Sequence, residues 1–280
     1  MYVYPVDIAG EAAGEREWEA ASAEATRRGE AAAEAPGPSY LIANVFDGVV
    51  HPEARPPRPH EPGTADGFAD PAASTYAWDD SGRRAPTIDP NYARIIARCA
   101  PRTPVLGYVS TRYGARPLGR PGTVDPTTVL GQVRLWRWLY PAIGGVFLDE
   151  VSSSPDDGHG DYYETVTAAV DGKVVANLGT PPPTDWLLAR QIADTLVVFE
   201  NTAAAFDRFA MPAWAAAHPP SAFAAIAHGA TSPDDVRRIR RRSSAMDIGA
   251  LYVTDRTMAD GNPYRGLPSP PFWRALLAPL

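Results

Sequence analysis

Cysteine is nearly absent. Cys99 is the single one in 280 residues, so no intramolecular disulfide can form. Its setting, "ARIIARCAP", reads as the end of an amphipathic helix and makes it a small buried hydrophobe, since no base stands nearby to activate a thiol. Positive charge is also short. The net charge is −7, which excludes nucleic acid as the default partner and mildly favours a cationic ligand. The one basic run, "DDVRRIRRRSSAM", begins with Asp234 and Asp235 and continues with five arginines, the order that suits a helix dipole, and it reads as a solvated helix face. No stretch reaches the roughly 18 to 20 apolar residues of a membrane-spanning helix. No secretory leader is visible ahead of "MYVYPVDIAG", so a cytoplasmic location is the default expectation. No Gly-rich phosphate turn follows the first strand, which argues against a doubly wound nucleotide-binding sheet. His51, His60, His159 and His218 show no HxxxH or HxH spacing, so neither a metal site nor a cofactor is expected.

What the chain has is a rhythm. With 45% hydrophobic and 21% charged residues it has the composition of a soluble globular protein large enough to bury a sizeable core. Short apolar runs recur, each followed by a turn and a helix-like segment. They are "YVYP", "SYLIANVF", "TPVLGYVS", "IGGVFLDE", "KVVANLG", "TLVVFEN", "AFAAIAHG" and "GALYVTD". The runs are continuously apolar rather than alternating, as in parallel strands buried on both faces. Eight such units predict an α/β fold with one domain over 1–280, a single (β/α)8 TIM barrel. Residues 51–87 break the rhythm with a Pro/Gly-rich stretch after the second strand. It reads as a βα-loop insertion on the C-terminal face, because strands on both sides of it are needed to complete the barrel.

In such barrels, functional side chains gather at the C-terminal strand ends. The polar residues expected there include Asn44, Tyr108, Asp149, Glu150, Asn177, Glu200, His228, Tyr252 and Asp255. Asp149, Glu150 and Glu200 stand out because each follows directly on an apolar run, where an unpaired buried charge costs several kcal/mol. The fourth and sixth strands feed the same interior layer, so Glu150 and Glu200 are expected to face each other across the mouth. Two carboxylates about 5 to 9 Å apart are what glycosidic bond cleavage needs. Neighbours on a strand point to opposite sides, so Asp149 joins them only if the fourth strand ends or bends there. A like charge beside Glu150 would raise its pKa, as a general acid requires. Spacing alone leaves helix capping or a salt bridge at the mouth open for the acids, and a structural role open for His228.

The combination of "TPVLGYVSTRYGARP", "YPAIGGVFLDEVSS" and "ADTLVVFEN", with "IDPNYARIIARC", "GKVVANLGTPP", "AFAAIAHGA", "IGALYVTD" and "NPYRGLPSPPFW", resembles the spherulin-4 glycoside hydrolases, glycoside hydrolase family 135. The resemblance runs in order across nearly the whole chain. It implies a (β/α)8 barrel that cleaves α-1,4-linked N-acetylgalactosamine/galactosamine polysaccharides such as galactosaminogalactan. It also implies that Asp149, Glu150 and Glu200 match the catalytic acids. Glu150 is the expected general acid, with the second role open between Glu200 and Asp149. Asn44, Tyr108, Asn177, His228, Tyr252 and Asp255 are expected to line the cleft. The expected partner is a polysaccharide or oligosaccharide, bound by a monomer. Members of the family are usually secreted. Two loops depart from the family pattern. "ANVFDGVVHPEARPP" stands where an Asn-Pro…Ser-Gly-Pro-Gly turn is usual, and "NLGT" where Asn-Pro-Gly-Thr is usual. A non-catalytic carbohydrate-binding barrel and a barrel hydrolase acting on another glycoside remain as alternatives.

Overall fold

The computed structural model of the chain describes residues 2–3, 23, 40–43, 76–78, 84–86, 90–114, 126–155, 159–260, 263–264 and 267–278. The strands are β1 (Tyr2–Val3), β2 (Tyr40–Ala43), β3 (Tyr76–Trp78), β4 (Arg84–Pro86), β5 (Val105–Ser110), β6 (Gly145–Asp149), β7 (Lys173–Asn177), β8 (Thr195–Thr202), β9 (Phe223–His228) and β10 (Ala250–Val253). The α-helices are α1 (Pro90–Cys99), α2 (Pro126–Leu139), α3 (His159–Thr167), α4 (Trp186–Ala189), α5 (Pro233–Ala245) and α6 (Pro270–Leu277). Every apolar run read as a strand forms one. Those eight pair in chain order, β1-β2-β5-β6-β7-β8-β9-β10, and all seven pairings are parallel. Among the described residues no helix is long and apolar enough to cross a membrane.

The sheet curls. Tyr40 of β2 reaches Thr195 of β8 across the concave side, oxygen to oxygen at 3.5 Å. The Cα atoms of β1 and β10 approach within 8 Å of each other. Helices cover the convex side. Gly107 of β5 faces them, and a Cβ there would stand 2.5 Å from the Trp136 ring of α2, so only glycine lets the helix lie this close. Trp136 in turn is fully buried and donates its indole N–H to the Tyr108 carbonyl at 2.9 Å. Cys99 is buried at the end of α1.

The segment 51–87 contributes β3 and β4, which form a two-stranded antiparallel ribbon. Its other residues lie outside the described ones. The segment "AAAFDRFAMPAWAAA" after β8, read as one of the helix-like stretches that follow each strand, does not form an α-helix. Two short 3₁₀ turns, Ala205–Arg208 and Ala213–Ala217, take its place. Pro212 separates them, because proline lacks the N–H an α-helix needs and its ring collides with the preceding turn.

The basic run is α5, and it is largely consumed by structure. Arg237 pairs with Asp234, and Arg238 with Asp207 and Asp235. Arg240 donates to the carbonyls of Ala275 and Ala278 at the end of α6. Arg242 donates to the carbonyls of Phe206 and Phe209. Ser232 and Asp235 close a capping box at its N-terminus.

Candidate active site

Strand parity decides which polar side chains meet. In parallel pairing, residues in register share a face, and faces alternate along a strand. Ser110 is in register with Asp149, and Tyr108 with Phe147. Gly107 faces the helices, so Tyr108, Ser110, Phe147 and Asp149 all face the concave side. The Tyr108 and Phe147 rings stack there, with centroids 6.1 Å apart. Asn177 follows the same parity, because Val175 pairs with Phe147.

Glu200 reaches this face by an irregularity. From Val197, in register with Asn177, strict alternation would send Phe199 and Asn201 inward and Glu200 outward. A β-bulge between Val197 and Phe199 inserts Val198 as an extra residue. Beyond it Glu200 pairs with Ile226, so Glu200 turns in. Phe199 turns out and packs against Phe206 and Phe209, at ring distances of 4.9 and 5.0 Å. Re-aiming a side chain beside a site is a common use of bulges.

Four of these side chains form one hydrogen-bonded cluster. Tyr108 donates its hydroxyl to Asp149 Oδ2 at 2.5 Å. Asn177 Nδ2 donates to Asp149 Oδ1 at 2.7 Å and to Glu200 Oε2 at 2.5 Å. The two carboxylate oxygens share one nitrogen, so they stand no more than about 5 Å apart, within the spacing of paired glycosidase carboxyls. Asn177 is itself oriented by the Gly179 N–H, which donates to its Oδ1 at 3.1 Å. The Asp149 pKa is raised to about 6, chiefly by burial and then by the Glu200 charge, while the bonds from Tyr108, the Glu150 backbone and Asn177 oppose the rise.

Glu150 lies just past the end of β6 with φ of 53°, in the left-handed region. The strand therefore ends and bends at the acid pair. Glu150 accepts from the Ser110 hydroxyl at the end of β5. The hydrogen bonds to the Asn177 bridge thus belong to Asp149. The pairing across the mouth expected of Glu150 and Glu200 is realised between Asp149 and Glu200, because the register of β5 with β6 turns Asp149 inward.

His228 and Tyr252 line the same face beyond Glu200, since Ile226, in register with Glu200, is also in register with Tyr252. His228 is buried, which lowers its pKa against the opposing pull of the Glu200 charge. Tyr264 lies at no strand end. It stands edge-on to both, its ring 6.5 Å from His228 and 6.3 Å from Tyr252. Its hydroxyl pKa is raised by burial and then by the Glu200 charge. Tyr264 belongs to the segment that follows β10, and a Pro-rich loop offers no periodicity by which to place it. The Asp255 carboxylate accepts the Ser269 N–H at 2.9 Å and tethers that segment at the start of α6. Asn44 lies outside the described residues.

Three comparisons bear on this arrangement. Residues 79–279 match the sequence family described as Spherulin4, spherulation-specific family 4. Spherulin-4 of Physarum polycephalum is 28% identical over 165 residues, covering 54% of this chain and 45% of its own length. The chain thus spans about half the length of that relative. Among solved structures, Aspergillus clavatus Sph3, crystallised in complex with GalNAc, is similar with a TM-score of 0.61. The match covers 99% of this chain and 97% of the other at 18% identity, and it shows a shared fold.

Proposed function

From the premise that the chain belongs to the spherulation-specific family 4, we propose that it is a glycoside hydrolase acting on α-1,4-linked N-acetylgalactosamine/galactosamine polysaccharide. The observation that carries this reading is the Asp149–Glu200 pair held on one amide nitrogen of Asn177. The sugar bound by Sph3, a protein of the same fold, supports the substrate class. In this reading the sheet closes β10 onto β1 as a (β/α)8 barrel of one domain, with residues 51–87 inserted at its C-terminal face.

Two carboxyls held this close, on one nitrogen, fit a retaining, two-step reaction. Asp149, half-buried and disposed to hold its proton, is the general acid. It protonates the glycosidic oxygen as the bond from that oxygen to the anomeric carbon breaks. The Glu200 carboxylate attacks the same carbon and forms a glycosyl ester. Water then gives its proton to Asp149 and its oxygen to the anomeric carbon, which releases Glu200 and restores both groups. Asn177 orients the pair, and Tyr108 fixes the Asp149 carboxyl. Glu150, one residue along and held by Ser110, binds the sugar beside the scissile bond. This reading gives the general-acid role to Asp149 rather than to Glu150, the residue expected for it. In this reading His228 and Tyr252 are cleft residues, and Asn44 is proposed as a third.

The test is release of new reducing ends from an α-1,4-N-acetylgalactosamine polymer by wild type, Asp149→Asn, Glu150→Gln and Glu200→Gln. The reading expects product from wild type, none from the Asp149 and Glu200 variants, and retained anomeric configuration. A folded wild type that releases nothing from the polymer or from its oligosaccharides would overturn the activity. A dead Glu150 variant beside a fully active Asp149 variant would return the acid role to Glu150.

A further inference from the structure

The backbone that aims the two neighbouring acids is held from the helical layer, on the opposite face of the sheet. Thr111 and Tyr163 are both fully buried. Thr111 Oγ1 donates to the carbonyls of Glu150 at 2.9 Å and Asp149 at 3.1 Å. Its single proton is thereby committed. The Tyr163 hydroxyl of α3, 3.2 Å away, must then be the donor to Thr111. That leaves the Tyr163 oxygen as acceptor for the Ser152 N–H, at 2.8 Å. A continuous chain results, from the Ser152 amide through Tyr163 and Thr111 to the peptide carbonyls on either side of the bend.

The geometry at both ends is costly without this chain. Glu150 is left-handed at φ 53°, and so are Arg112 and Tyr113 at 45° and 65°, which L-residues with side chains adopt only when their surroundings impose it. The turn after β5 is locked onto the bend by the Tyr113 N–H, which donates to the Glu150 carbonyl at 2.5 Å. Gly114 completes that turn at φ 76°, and a Cβ there would stand 3.1 Å from the Tyr163 oxygen. The hydroxyl of Tyr163 thus sits where the turn, the bend and α3 meet. Burial pushes its pKa up to about 12, so it remains a donor at any working pH.

We propose that Tyr163 is a positioning residue: acting through Thr111, it holds the left-handed bend at Glu150 and so sets the aim of Asp149 and Glu150. This rests on the glycoside hydrolase reading for its kinetic consequence, but not for its structural one.

The experiment compares Tyr163→Phe, Thr111→Val, the double variant and Thr111→Ser, each checked for a wild-type unfolding transition. On the N-acetylgalactosamine polymer, Tyr163→Phe and Thr111→Val should each lower kcat by roughly 10- to 100-fold with KM little changed. The double variant should be no worse than the worse single one, because both cut the same chain. Thr111→Ser should restore the rate. The second readout needs no activity. Carboxyl NMR of the Asp149 side chain should show its titration moving down toward the ordinary carboxylate range in Tyr163→Phe, as the loosened bend admits water. Folded Tyr163→Phe with wild-type kcat and an unmoved Asp149 titration would overturn the proposal. So would additive losses. A wild type without activity, beside a shifted titration in Tyr163→Phe, would overturn the hydrolase reading and leave the positioning role standing.

Discussion

Asp149 and Glu200, two strands apart, lean on the same nitrogen: Asn177 Nδ2 lies 2.7 Å from an oxygen of one and 2.5 Å from an oxygen of the other. Its two N–H bonds serve both carboxyl groups and hold them close together. Replacing Asn177 with Ala removes both donors and leaves the carboxylates facing each other. A hydrogen bond to a charged group contributes about 1.5–3 kcal/mol, so kcat/KM should fall by roughly 10- to 100-fold. Steady-state kinetics on the polymer reads this. A variant with undiminished kcat/KM would show that the shared nitrogen is not needed to hold the pair.

The Tyr108 hydroxyl donates to Asp149, which makes it a direct probe of Asp149 as the proposed general acid. Its 2.5 Å bond favours the ionised carboxyl and so opposes the rise caused by burial. Tyr108→Phe keeps the ring and its stacking on Phe147 but deletes that donor. The Asp149 pKa should climb by about one to two units above its already raised position. In a pH–rate profile the alkaline limb, where the acid loses its proton, should move up, and the acidic limb should stay. Movement of the alkaline limb to lower pH would contradict the assignment.

The same burial makes Asp149 a destabilising residue at neutral pH. Its pKa rises from 3.8 to about 6 on folding, so between these values the folded chain holds a proton that the unfolded chain has lost. Stability therefore falls as pH rises through that window and stays reduced above it. Asp149→Asn carries no charge at any pH, and the Tyr108 hydroxyl can turn to accept from the new amide. The variant should match wild type below about pH 4 and be more stable by a few kcal/mol above about pH 6. Urea unfolding at three pH values tests this, and equal stability at pH 7 would mean that the site pays no such cost.

Much of this architecture is legible in the chain, and the exceptions have physical causes. Continuous apolar runs such as "VFLDE" and "LVVFE" mark parallel strands because both faces are covered, one by the interior and one by helices. The acids at their ends are visible for the same reason. Which acid turns inward is not visible, because that depends on register: Asp149 faces the cluster because it pairs with Ser110. Glu200 is harder still. Its inward aim depends on the bulge at Val198, and nothing in "TLVVFEN" announces an extra residue before the partner strand is known. Tyr264 reaches the site from an irregular segment, held by Asp255 and Ser269, where periodicity has nothing to read.

Glu150 combines two demands that substitution can separate. Its side chain is an acid held by Ser110, and its backbone is left-handed at φ 53°. Alanine removes the carboxyl but keeps a Cβ, which crowds the following carbonyl in this conformation. Glycine removes both the carboxyl and the crowding. In an ordinary position Gly is the worse choice, because it loses more freedom on folding. Here the relieved left-handed strain, roughly 1–2 kcal/mol, outweighs that loss. Glu150→Gly should therefore be more stable than Glu150→Ala by up to about 1 kcal/mol, measured as a shift in the urea midpoint at unchanged slope. Both variants lack the carboxyl, so any difference between their rates reports the backbone. A more active Gly variant would show that strain at the bend opposes catalysis. A more active Ala variant would show that the restriction imposed by Cβ helps hold Asp149 on target.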